Sequence, residues 1–146
     1  MKIQVLLEQK IPGLKSRKIV QKLTKVLKDL GCKDCELSVL LTGDRHIAEL
    51  NQRYLKRKGP TNVLAFPMSG GPPPLVETNL LGDVVVSVER AVDESNESGE
   101  SLEETLFRLL IHGILHLLGY DHEKSPEDAT LMFKEEERLL ALIKEM

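Results

Sequence analysis

At 146 residues, with 41% hydrophobic and 29% charged side chains, the chain has the length of one domain. It can bury roughly two thirds of its unfolded surface without staples. A formal charge of −3 excludes a protein that coats nucleic acid through global positive charge, and no Trp, three Phe and two Tyr leave few stacking platforms for single strands. No stretch approaches about 18 consecutive apolar residues, and the opening MKIQVLLEQKIPG is too short an apolar run for a signal peptide, so a cytoplasmic protein with no membrane partner is expected.

Residues 2–7 (KIQVLL) predict a first strand. Ser16 opens a helix whose face is marked by Ile19, Leu23, Val26, Leu27 and Leu30, and Gly31 ends it. Two cysteines follow, Cys32 and Cys35. A single C-x-x-C is half a zinc site or a redox pair on one reading. Redox pairs usually open a helix rather than follow one, so a turn with Cys35 as a small buried apolar residue is the expectation. Residues 36–42 (ELSVLLT) alternate as a second strand, and Asp44 is the predicted N-cap of a helix that carries Ile47, Ala48 and Leu50 to about Tyr54.

Residues 55–62 (LKRKGPTN) read as a loop, 63–66 as a short strand, 69–74 (SGGPPP) as an irregular loop and 81–88 (LGDVVVSV) as a β-branched strand. A short helix is expected around 89–96. Between Asp93 and Glu104 lie six acids and no bases, the pattern of a solvated helix end and the next helix start. Ser101 with Glu104 fits a capping box for a helix to about Leu118. A last helix is expected from Ser125–Pro126 to the C-terminus, anchored by Leu131, Leu139, Leu142 and Ile143. With no internal repeat and no linker, residues 1–146 read as a single domain. The order β-α-β-α-β-β-α-α-α predicts an α+β or mixed α/β arrangement, a small β-sheet packed against helices.

The chemistry concentrates in HGILHLLGYDH, residues 112–122, which holds three of the four histidines. On a helix His112 and His116 sit about 40° apart around the axis and about 6 Å along it, so both can reach one ion. His122 can join them only if the chain turns, and Gly119 is where a turn costs least. Three imidazoles with a fourth position left for water or substrate form a catalytic rather than a structural zinc arrangement, although nickel, cobalt or copper would also bind. The segment 109–118 is apolar nearly all round, which implies a buried helix whose two imidazoles need partners. His46 has no spacing partner and reads as a surface residue. The motif matches the H-E-x-x-H-x-x-G-x-x-H of metzincin proteases except that Gly113 stands where those enzymes have their Glu base. A glycine takes no proton, which opposes a metallopeptidase.

HGILHLLGYDH, together with PTNVLAFP (residues 60–67) and LLGDVVVS (residues 80–87), resembles the YbeY family of bacterial endoribonucleases from about Asn51 to the last helix. The resemblance implies a zincin-like arrangement, a histidine-bearing helix packed against a small mixed sheet, with His112, His116 and His122 as zinc ligands. It also implies cleavage of single-stranded RNA in the maturation of small-subunit ribosomal RNA and in ribosome quality control. Ribosomal RNA and the small ribosomal subunit are then the expected partners, and DNA is not. Asn51 and Tyr54 match the family pattern, but Leu55 stands where the family commonly has Arg, and Ala65 where it has Ser. Arg53, Lys56, Arg57 and Lys58 lie close by, either as a solvated loop or as a phosphate-binding one, with Arg57 the candidate substrate-binding residue. Tyr120, Asp121 and Asp83 receive no catalytic role, since turn and strand-edge hydrogen bonds explain them equally well. The catalytic residues stay unassigned. The competing readings are a metallopeptidase and a non-catalytic ribosome-associated factor with a structural zinc.

Overall fold

A computed structural model describes residues 1–68 and 80–146; the predicted loop at 69–74 lies outside them. The elements in chain order are β1 (Lys2–Leu7), α1 (Ser16–Asp29), β2 (Glu36–Thr42), α2 (Asp44–Leu55), β3 (Val63–Pro67), β4 (Leu80–Ser87), α3 (Val88–Ser98), α4 (Leu102–Leu117) and α5 (Pro126–Ile143). The strands form one mixed sheet in the order β1-β2-β4-β3, parallel except for β3, which runs antiparallel to β4 at an edge. The fold is α+β, as the order of elements predicts.

Successive side chains of a strand face opposite sides, and here each side has its own core. Leu37, Val39 and Leu41 of β2 join Val84 and Val86 of β4 under α1, α4 and α5. Val85, one residue out of phase, faces the other way and packs with Leu64 and with Ile47 of α2. A β-branched run buried on both faces is what an inner strand requires.

α4 is the central helix. It packs on β3 and β4 along one side and on α3 and α5 along others. Leu106, Leu110, Ile111, Ile114 and Leu115 are all fully buried, each contributing about 1.5–3 kcal/mol by leaving water. Its start is fixed by Ser101, whose hydroxyl accepts from Glu104 N–H at 3.1 Å. Arg108 then bonds Glu100 before the helix and Glu137 on α5, and its guanidinium holds the Glu100 carboxyl below the usual range.

Two expectations need correction. Asp44 does not cap α2. Gly43 is the capping residue, and the Asp44 carboxylate instead accepts from Ser87 Oγ at 2.7 Å and Arg90 Nε at 3.2 Å, tying α2 to α3. Leu131 is not an anchor of α5: it is 57% exposed, and Met132 takes the buried place beside Leu139 and Ile143.

Candidate metal centre

The site begins with a close approach of helix to sheet. A Cβ at position 113 would lie 2.6 Å from Val84 Cγ1, so α4 can sit this near β4 only with glycine there. The flanking His112 and His116 consequently lie along the edge of the buried helix, half-buried. α4 then ends in a Schellman turn: Gly119 N–H donates to His116 O and Tyr120 N–H to Leu115 O, both at 3.0 Å, with Gly119 at φ +100°. The Asp121 carboxylate accepts from Glu123 N–H at 2.8 Å, which folds the chain around His122. Tyr120 is half-buried against the main core.

These turns bring the three imidazoles together. Their ring centroids lie 4.8 Å (112–116), 5.1 Å (112–122) and 5.3 Å (116–122) apart. One nitrogen from each falls within 4.8 Å of the others, a spacing that can hold a single ion. The donor set fits zinc and similar borderline metals, which take neutral imidazole. Burial first, and then the neighbouring His112 and His122, hold the His116 imidazole below its usual pKa and so in that neutral form. Nδ1 of His112 contacts the Glu136 carboxylate of α5, leaving its other nitrogen free.

The histidines line a cleft of about 950 Å³ that also takes in Val63 and Ala65 of β3. Arg57, Lys58 and Lys124 stand on its wall, with Asp121 and Glu123 as the acids beside them. The loop carrying Arg57 is held by Asn51, whose side-chain N–H donates to Gly59 O at 3.0 Å and whose backbone carbonyl accepts from Arg57 N–H at 3.3 Å. Asn62 locks the far end: its Oδ1 accepts from Val63 N–H at 2.7 Å, its Nδ2 donates to Glu94 and its backbone carbonyl accepts from Ser87 N–H. The family-like residues around the site thus build its walls.

Of the residues singled out by motif and spacing, His112, His116, His122 and Arg57 come together in one cleft, with Leu55 beside them. Asp83 faces the other side of the sheet among Gln4 and Ser38. His46 is bonded to Glu8 at 2.7 Å and lies outside the histidine group. Cys32 and Cys35 are free thiols between α1 and β2, and burial pushes the Cys35 thiol up to about 12, which makes it inert as a nucleophile. Sequence reasoning missed Lys124, signalled only by its nearness to His122, and Glu136, which stands in the buried stripe of α5.

The profile of the Endoribonuclease YbeY family matches residues 3–144. The Endoribonuclease YbeY of Syntrophotalea carbinolica is 42% identical over 138 residues, covering 94% of this chain and 90% of that one. That of Aquifex aeolicus is 45% identical over 130 residues, covering 87% and 83%. The solution structure of TM1509 from Thermotoga maritima has a TM-score of 0.65 and 28% identity, over 97% of this chain and 88% of that one. A buried helix and the turn after it bring three imidazoles to an open cleft, where they could share one metal ion, and that arrangement with the family match defines the class, a metal-dependent hydrolase. Within that class, the chain belongs to the YbeY family of endoribonucleases.

Proposed function

We propose that the chain is a zinc-dependent endoribonuclease that cuts single-stranded RNA during maturation of small-subunit ribosomal RNA, in the cytoplasm and with the small ribosomal subunit as its partner. Family membership supports the reaction class, and the convergence of three imidazoles in a cleft with Arg57, Lys58 and Lys124 on its wall supports the site. That convergence is the observation on which the reading rests.

His112, His116 and His122 would hold the ion, which supplies Lewis acidity toward a phosphoryl oxygen and acidifies water. Arg57 reaches the cleft from the loop after α2 and binds phosphate there, compensating for the apolar Leu55. Lys58 and Lys124, which also line the cleft, add point charges for the RNA backbone. Gly113 supplies no base beside His112, and Val84 leaves no room for one at that position. This opposes a peptidase.

The test is cleavage of an end-labelled single-stranded RNA with zinc and with chelator. Chelation and His116→Ala should each abolish cleavage. Arg57→Ala should weaken binding and flatten its salt dependence by about 0.7 in the log–log slope, the share of one phosphate contact on a single strand. Cleavage that survives in His116→Ala protein contradicts the proposal. Co-sedimentation with small ribosomal subunits tests the partner.

A further inference from the structure

The last helix turns one stripe of side chains to the core. Met132, Leu139 and Ile143 are each 1% exposed or less, at spacings that keep them on one face. Glu136 stands on the same stripe, four residues after Met132 and three before Leu139, and is 8% exposed. An apolar side chain there would add to the core. A carboxylate in that position costs free energy unless a partner answers it.

Its neighbours in sequence find theirs at the surface. Glu135 accepts from Arg138, and Glu137 pairs with Arg108. Among the described residues the ion-pair partner of Glu136 is an imidazole: its Oε1 meets Nδ1 of His112 across the contact between α4 and α5. An imidazole that gives its Nδ1–H to a carboxylate carries its lone pair on Nε2. Held from behind, the ring can neither rotate nor exchange nitrogens freely.

We propose that Glu136 is a positioning residue of the metal centre, fixing the tautomer and ring angle that present Nε2 of His112 to the ion shared with His116 and His122. The inference rests on the metal reading of the three histidines, and it gives α5 a part in the site beyond packing. The fold alone does not call for this pair, because a buried ion pair replaced by an apolar side chain of similar size often leaves stability unchanged or raised. What the fold does not need, the ligand does: a carboxylate behind a ligating imidazole commonly sets metal affinity by roughly 10- to 100-fold.

Two variants test it. Glu136→Met completes the apolar stripe, and Glu136→Gln keeps an oxygen acceptor of nearly the same shape. On metal-free protein, long-range proton–nitrogen NMR of the imidazoles reads the His112 tautomer directly; on the same samples, competition with a chromophoric chelator gives the affinity for Zn²⁺. Wild type should show His112 as the Nδ1–H form. Glu136→Met should shift it toward Nε2–H and weaken zinc binding roughly 10- to 100-fold, with the unfolding midpoint of the metal-free protein unchanged or raised. Glu136→Gln should keep the Nδ1–H form and lose less affinity, and it decides the matter alone if the Met variant does not fold. Wild-type zinc affinity in the folded variants overturns the role of Glu136. Failure of the metal reading would show differently, as wild-type protein that takes up no zinc.

Discussion

Gly113 serves two purposes through one missing methyl group. It lets α4 sit against Val84, and it removes the carboxylate that a peptidase would carry beside its first histidine. Gly113→Ala should therefore cost about 1–3 kcal/mol, as overpacking of a tight core does, and move His112 and His116 away from the sheet. A denaturant titration measures the loss, and a wild-type midpoint would show that the helix has slack against β4. The glycine was legible in the sequence only as an absent base. Its packing role was not, because Val84 lies 29 positions earlier and meets it only through the sheet. Asp44 shows the reverse: its residue type suits an N-cap, yet Ser87 and Arg90 draw its carboxylate into a bond between two helices.

Among the elements, α4 was the easiest to read and α5 the hardest, for the same reason. The histidine pattern of α4 is local, four residues and one turn, so spacing alone gives its geometry. The stripe of α5 is interrupted by Glu136, whose partner lies 24 residues away on another helix. A carboxylate in a core position hides the period, and Leu131 looks like an anchor where Met132 is one. Leu139→Ala should accordingly destabilise the protein by about 2–5 kcal/mol, whereas Leu131→Ala should stay within about 0.5 kcal/mol. Thermal unfolding of the two variants checks this, and equal losses would contradict the placement of the stripe. The loop between α2 and β3 was legible as basic, but not that Arg57 and Lys58 line the histidine cleft while Tyr54 packs edge-on against Phe66 on the face of the sheet that α2 covers.

For the whole molecule, a four-stranded sheet packs one face against α1 and α4, α5 lies over those two helices, and α4 ends at the rim of a cleft. Rigid elements place two of the imidazoles, and a turn closed by backbone bonds at Gly119 and Tyr120 places the third. The proposed function depends on that convergence holding one ion. Elemental analysis of protein purified without chelator or nickel resin tests it most directly, with His116→Ala measured alongside. One metal ion per wild-type chain, and none in the folded variant, is the predicted result. Equal metal content in the two proteins would contradict the account.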